Sequence, residues 1–63
     1  MTRTEFERLA TLARLRHTPS KEAARMVLTG DMRPGEAAKI SGSSPQAVTN
    51  ALRKIKDAMA SAS

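Results

Sequence analysis

The first half of the chain carries apolar residues at intervals of three and four, the spacing of an amphipathic helix. A first helix is predicted from about Glu5 to Arg16, with Thr4 as its N-cap. Thr18 is the predicted N-cap of a second helix that has Pro19 in its first position, and Gly30 is expected to end it in the left-handed conformation. The positions predicted to face the core are Phe6, Leu9, Leu12, Ala13 and Leu15, followed by Ala23, Ala24, Val27 and Leu28.

The second half repeats this helical pattern after a short connection. A third, short helix is predicted to start near Pro34 and to be interrupted at Gly42. A fourth follows Ser44 as N-cap and extends to about Ala60, before a short tail. The inward positions are predicted to be Ala37, Ala38 and Ile40, then Val48, Ala51, Leu52, Ile55, Ala58 and Met59. The sequence therefore predicts an all-α fold of four short helices in a single domain, residues 1–63.

Composition supports helices over sheets. Leu, Ile, Val and Phe make up only 10 of 63 residues, a proportion at which a strongly charged chain is often disordered. Eleven alanines and four methionines favour helix instead, because both are strong helix formers. The lack of Tyr and Trp disfavours a β-sheet protein. The lack of cysteine excludes a disulfide framework, a cysteine zinc site and a thiol nucleophile.

Charge and hydropathy narrow the class of partner. No apolar run approaches the ~20 residues that cross a bilayer, and the N-terminus lacks the apolar segment of a secretion signal, so a cytoplasmic protein is expected. Eleven Lys and Arg stand against six Asp and Glu, which gives a net charge of +5 and a pI near 10.9. Such a basic chain favours an acidic partner, with nucleic acid the first candidate.

Residues 34–55 have the spacing of a helix-turn-helix. Ala38, four residues before Gly42, supplies the small side chain that two crossing helices need. Gly42 can adopt the positive φ of a tight turn. Val48 and Ala51 then follow at the spacing that packs the second helix onto the first. In such a motif the second helix can lie in the major groove of DNA.

Two positions depart from that pattern. Ser41 and Ser43 flank Gly42 where apolar residues normally anchor the turn, and Ile40 is expected to take over that packing. The alternative interpretation is an ordinary helical hairpin with a solvated polar face.

The polar residues of the fourth helix are of the types that read DNA. Gln and Asn can bond adenine in a bidentate way, Arg can do so with guanine, and a small Ala can contact a thymine methyl. The residues predicted to read bases are Gln46, Ala47, Thr49, Asn50 and Arg53. Those predicted to contact the DNA backbone, most of them cations that neutralise phosphates, are Arg33, Lys39, Ser44, Lys54 and Lys56.

Several stretches resemble the plasmid repressors of the KorA (TrfB) type. They are residues 22–28 (EAARMVL), Gly42 and residues 47–55 (AVTNALRKI), and Phe6 also fits. The resemblance covers roughly residues 4 to 59. It implies a homodimeric repressor that binds palindromic operators in plasmid promoters, with base readout on the same five residues. Members of this type carry a separate dimerisation region after the DNA-binding part. Here a seam on the last helix is the predicted substitute, formed by Leu52, Ile55, Met59 and Ala62.

Two features that suggest catalysis or nucleotide binding have simpler explanations. His17 has neither a second histidine nor a suitably placed carboxylate to orient it, so a loop histidine is predicted. Gly30 and Gly35 have the spacing of a phosphate loop, but Glu36 and Ala37 stand where Lys and Ser or Thr are required.

The remaining chemistry-bearing residues predict no enzyme, metal, cofactor or small-molecule ligand. The acids are scattered singly along the chain. Three methionines are interpreted as core fillers: Met26, Met32 and Met59. The arginines predicted to form a solvated face of the first helix, with contact to DNA backbone or acidic lipid as the alternative, are Arg8, Arg14 and Arg16.

The function predicted from the sequence is therefore sequence-specific binding of duplex DNA, as a transcriptional repressor that covers a promoter. One alternative is a small basic helical module that binds an acidic protein partner, as an inhibitor or co-regulator. Another is nonspecific coating of DNA.

Overall fold

The computed structural model describes residues 1–62, which form four α-helices and, over that range, no strand. The helices are α1 (Arg3–Leu12), α2 (Pro19–Gly30), α3 (Pro34–Ser41) and α4 (Pro45–Ala62). The predicted all-α class and the number of helices are confirmed. None of the helices in residues 1–62 combines the length and the hydropathy that a membrane span requires.

The start of α1 lies two residues before the predicted position. Thr2, not Thr4, is the N-cap, because its backbone is extended and its Oγ1 accepts a hydrogen bond from the Glu5 N–H at 3.2 Å. Glu5 then lies in the first turn, where the positive end of the helix dipole stabilises its carboxylate.

The end of α1 lies at Leu12, well before the predicted Arg16. Arg14 has a φ of 57°, its N–H donates to the Thr11 carbonyl, and the Leu15 N–H donates to the Ala10 carbonyl at 3.0 Å. This is a Schellman motif, in which glycine usually holds the left-handed position. The prediction of a longer helix was wrong because an arginine holds that position here. Arg14 and Arg16 therefore lie in a loop and not on a helix face.

The strain at Arg14 leads to a stability prediction. A left-handed backbone destabilises a residue that has a side chain by about 1–2 kcal/mol. Glycine avoids this strain, but it loses more conformational entropy on folding, which costs roughly 0.5–1 kcal/mol. Arg14→Gly should therefore raise the free energy of unfolding by about 0.5–1 kcal/mol. Urea denaturation followed by far-ultraviolet circular dichroism measures the change. The same substitution at Arg8, inside α1, should lower stability by ~1 kcal/mol.

Helix α2 begins as predicted, but the left-handed residue that ends it lies one position later than predicted. Thr18 caps it by accepting from the Lys21 N–H at 3.3 Å, and Pro19 occupies the first position. At the other end Asp31, with a φ of 54°, takes the left-handed conformation that was predicted for Gly30. A short polar side chain such as that of aspartate tolerates this conformation better than most.

The core consists of two clusters that meet at α4. One joins α1, α2 and α4, and the other joins α2, α3 and α4, while Leu52 packs against both. The first contains Phe6, Ala10, Ala24, Ala51 and Ile55, and the second contains Ala23, Ala37, Ala38 and Val48. Seven of the ten buried apolar residues in the described chain are alanines. Helix axes can approach closely where the facing side chains are small.

Three large apolar residues predicted to face the core are exposed to solvent. Leu12 is 57% exposed, Ile40 64% and Met59 45%. Ala37 and Ala38 occupy the inward face of α3, and two residues beyond Ala38 a helix has turned by about 200°. Ile40 therefore points away from the core, and the expectation that it packs at the turn was wrong. Val27 and Leu28 are only partly buried, as are Met26 and Met32 at the second cluster.

Lys21 is buried, which its sequence position did not predict. The residue is 9% exposed, and its Nζ lies 3.5 Å from Glu7 Oε2 and 3.4 Å from His17 Nδ1. A long aliphatic stem lets a lysine cover apolar surface while its ammonium reaches a polar partner. The contact ties α1 and the α1–α2 loop to α2, which accounts for the position of the only histidine.

Candidate nucleic-acid interface

Three residues connect α3 to α4 in a tight turn. Gly42 has a φ of 78° and a ψ of 21°, and its N–H donates to the Ala38 carbonyl. The Ser43 N–H donates to the same carbonyl at 2.9 Å. A left-handed glycine followed by this bond is again a Schellman ending, which turns the chain out of α3. A short helix-to-helix connection that contains glycine is typical of a helix-turn-helix.

Serines take the place of the apolar anchors at this turn. Ser41 Oγ lies 3.3 Å from the Ala38 carbonyl, as a donor, and 2.9 Å from Ser43 Oγ. Both serines are half-buried, and neither leaves a buried side-chain oxygen without a partner. Hydrogen bonds thus stabilise the turn where Ile40 was expected to pack.

Ser44 and Pro45 start α4 as predicted. The Ser44 hydroxyl accepts from the Ala47 N–H at 3.2 Å, and its carbonyl accepts from the Val48 N–H at 3.1 Å. Because the hydroxyl acts as an acceptor in the cap, its own proton can still be donated to a phosphate oxygen. Ser44 is exposed, so its predicted role in backbone contact is compatible with its role as a cap.

The contact between α3 and α4 is made by small side chains over α2. Ala38 is 2% exposed and Val48 is fully buried, and both belong to the cluster that also contains Ala23 of α2. The α3–turn–α4 unit is therefore held on a third helix, which leaves the opposite side of α4 in solvent.

Four of the five residues predicted to read bases share that solvent side. At about 100° per residue, Gln46, Thr49, Asn50 and Arg53 span an arc of about 100° on α4. All four are exposed, whereas the opposite side of α4 carries the buried Val48, Ala51, Ile55 and Ala58. Ala47 does not share this arc: it is half-buried at the edge of the face.

The Thr49 hydroxyl already has a hydrogen-bond partner within α4. Its Oγ1 donates to the Pro45 carbonyl at 3.0 Å, so the hydroxyl proton is used within the helix. The oxygen can still accept, for example from the amino group of cytosine or adenine. Gln46, Asn50 and Arg53 have no side-chain hydrogen bond within residues 1–62, so their donors and acceptors face water.

The predicted phosphate-binding cations are all exposed and lie around this helix pair. Lys39 is in the last turn of α3, Lys54 and Lys56 are on α4, and none of the three forms an ion pair within residues 1–62. Arg33 is the N-cap of α3, at the end of that helix remote from the turn. Asp57 is the only acid on α4 and lies one turn beyond Arg53.

No protein-family model, curated protein or solved structure matches this chain. The resemblance to KorA-type repressors is therefore carried by residues 22–28, Gly42, residues 47–55 and Phe6 of this chain alone. Within residues 1–62, no group of three His, Cys, Asp or Glu side chains could hold a metal ion.

The dimerisation seam predicted on α4 does not exist as an exposed surface. Ile55 is 1% exposed in the cluster with Phe6, and Leu52 is half-buried between the two clusters. Met59 is exposed, and the Ala62 side chain lies outside the described residues. The first cluster is closed by α1, whose Phe6 and Ala10 pack in the same cluster as Ile55. Ile55 is therefore part of the core of a single chain, and its side chain is not exposed to a second copy.

The structure also groups residues that the sequence left apart. A groove of about 300 Å³ opens between the α1–α2 loop and the first half of α4. Its polar lining comprises Arg14, Arg16, Thr18, Ser20, Asn50 and Lys54. No local pattern could have found this set, because Arg14 and Asn50 are far apart in the chain and the helix was expected to continue through Arg16.

The turn yields a matched pair of glycine substitutions. A Cβ at Gly42 or at Gly35 would meet no atom within 4 Å, so only the backbone distinguishes the two sites. Gly42→Ala should lower the free energy of unfolding by about 1 kcal/mol, because φ is positive there. Gly35→Ala, inside α3, should raise it by about 0.5–1 kcal/mol. Urea denaturation of both variants tests the turn, and equal effects would contradict a left-handed Gly42.

Proposed function

We propose that this chain binds duplex DNA in a sequence-specific manner by inserting the first half of α4 into the major groove. The observation that carries the proposal is the exposed arc of Gln46, Thr49, Asn50 and Arg53, directly opposite the buried side of α4. A helix of about 10–12 Å diameter fits a major groove about 12 Å wide. The hydrogen-bonding groups on this arc would then meet the edges of the base pairs.

Each residue on the arc has a distinct part in the proposed readout. Arg53 points most directly away from the core and can bond guanine O6 and N7 together. Asn50 and Gln46 can each bond adenine N6 and N7. Thr49 accepts from an amino group, and Ala47 at the edge is small enough to approach a thymine methyl. Phosphate contacts from Lys39, Ser44, Lys54, Lys56 and Arg33 would set the register of the helix.

The resemblance to KorA-type repressors adds the biological role to this proposal. The protein would cover a promoter of plasmid or mobile-element genes in the cytoplasm and so prevent transcription. It would act as a homodimer on a palindromic operator, through a surface other than the buried Ile55.

Selection from a randomised duplex DNA pool tests the proposal, with the purified chain as bait at about 150 mM salt. We expect enrichment of a short motif that contains guanine and adenine at the positions facing α4. A palindrome would support the dimer, and its half-site spacing would give the distance between the two recognition helices. A single half-site would indicate a monomeric reader.

Two outcomes would contradict sequence-specific recognition. Salt-sensitive binding without enrichment would indicate a protein that coats DNA. No binding to any duplex would favour the alternative function, a module that recognises an acidic protein.

A further inference from the structure

The groove between the α1–α2 loop and α4 is positively charged, as a site that binds an anion would be. Arg14, Arg16 and Lys54 contribute three cations to its lining, and none of the six acids of the chain lines it. Within residues 1–62 the ion pairs are Lys21 with Glu7 and Arg25 with Glu22, so the three cations of the groove remain unneutralised. Like charges held around one groove favour an anionic ligand.

We propose that this groove holds a phosphate group of the DNA backbone, with Arg14 and Arg16 as its main cationic contacts. The inference rests on the proposed function and extends the DNA interface to a loop outside the α3–turn–α4 unit. For these two arginines the sequence predicted a solvated helix face, with contact to DNA backbone or acidic lipid as the alternative, and the groove favours the contact to DNA.

The position of the groove relative to α4 supports DNA phosphate as the ligand. Asn50 lies on the exposed arc of α4 and also lines the groove, while Lys54 lies beside it on the flank nearer the loop. A helix that fills the major groove has a phosphate strand along each flank, because helix diameter and groove width are nearly equal. The strand on the Lys54 flank would therefore run past Arg14 and Arg16.

Hydroxyl groups complete the site. Thr18 Oγ1 and Ser20 Oγ share a hydrogen bond at 2.8 Å, which uses one of their two protons. The other proton can be donated to a phosphate oxygen. Both residues lie at the start of α2, where the helix dipole also favours an anion.

The backbone of Arg14 gives a variant that separates binding from folding. Its positive φ means that Arg14→Gly removes the charge while relieving backbone strain, so the fold should be at least as stable. Arg16→Gln removes a second charge, and Arg8→Gln is the matched control, because Arg8 is exposed on α1 and does not line the groove.

The test measures the affinity of each variant for the selected duplex and for a scrambled duplex across a range of salt concentrations. One phosphate contact contributes about 0.9 to the slope of log affinity against log salt. Arg14→Gly and Arg16→Gln should therefore each bind about 5–10-fold more weakly near 0.1 M salt, on both duplexes, and converge with the unmodified chain near 1 M. Arg8→Gln should change affinity by less than about twofold. Thermal melting of every variant confirms folding.

Each outcome bears on the proposal in a defined way. If the chain binds duplex DNA but the groove variants behave like Arg8→Gln, the groove assignment is wrong and the proposed function stands. If the unmodified chain binds no duplex, the proposed function fails and the groove assignment fails with it. Inorganic pyrophosphate, titrated while the amide signals of Thr18, Ser20 and Asn50 are followed by NMR, tests the other source of phosphate. Binding of pyrophosphate more tightly than duplex would replace DNA by a small phosphorylated ligand.

Discussion

The Phe6→Ala substitution should lower the free energy of unfolding by about 3–5 kcal/mol. Phe6 is fully buried and is the largest such side chain in the described chain. The buried residues around it include Ala10, Ala24 and Ala51, which are too short to fill the space that an alanine at position 6 would leave. The cost therefore combines the lost burial of the ring with a cavity that cannot collapse.

The loss is large compared with the total stability of a chain this small. At about 0.05–0.15 kcal/mol per residue, 63 residues supply roughly 3–9 kcal/mol in all. Phe6→Ala should thus leave a substantial fraction of the protein unfolded at 37 °C, which circular dichroism and urea denaturation would show.

Leu12→Ala is the matched control for Phe6→Ala. Leu12 lies on the same helix and is 57% exposed, so its removal should change stability by no more than about 0.5 kcal/mol. Equal losses from the two variants would contradict the placement of α1. If Phe6→Ala were to bind duplex DNA normally at 37 °C, α1 would not be needed to hold α4.

The beginnings of α2, α3 and α4 could be predicted from the sequence because their signals are local, whereas α1 begins two residues before its predicted start. The pairs Thr18-Pro19 and Ser44-Pro45 combine an N-cap hydroxyl with a proline in the first position, and the structure uses both as predicted. Helix ends were harder. Glycine is the usual signal for the left-handed residue that ends a helix, and Gly42 has this conformation as predicted. Arg14 and Asp31 are also left-handed, but their residue types do not predict it.

The spacing of the core residues could be predicted from the sequence, but not which sizes of side chain are buried. Apolar spacing identifies which residues are hydrophobic and treats leucine and alanine alike, whereas close helix packing selects for small volume. Ala37 and Ala38 are therefore buried while the larger Ile40 is exposed. Ile55 was assigned to a dimer surface for a different reason: the apolar face of α4 exceeded what a small core was expected to cover, and only the position of α1 shows that the first cluster buries this residue.

One part of the candidate site could be predicted from the sequence and another could not. The shared face of Gln46, Thr49, Asn50 and Arg53 follows from one helix and its period, so the sequence could place it. The groove beside Asn50 depends on where the α1–α2 loop folds back against α4. A tertiary contact of that kind leaves no periodic trace in the sequence.

Neighbouring cations on α4 provide the sharpest test of base readout. Arg53 and Lys54 are both exposed, and replacing either by alanine removes one positive charge. They differ in direction: Arg53 lies at the centre of the exposed arc, and Lys54 lies about 100° away on the flank. The two substitutions should therefore lower affinity for different physical reasons.

Arg53→Ala should cost about 1–3 kcal/mol on the selected duplex and relax the preference at one base pair, because the proposed bidentate contact to guanine would be lost. Lys54→Ala should weaken binding to every sequence about equally and reduce the salt slope by about 1. Asn50→Ala, which changes no charge, should relax preference at a second base pair and leave the long-range attraction to DNA intact. Binding of each variant to the selected duplex, to single-base variants of it and to a scrambled duplex separates these effects. If Arg53→Ala and Lys54→Ala lose the same affinity on all of these duplexes, α4 contacts phosphates alone and the assignment of its exposed arc to base recognition is wrong.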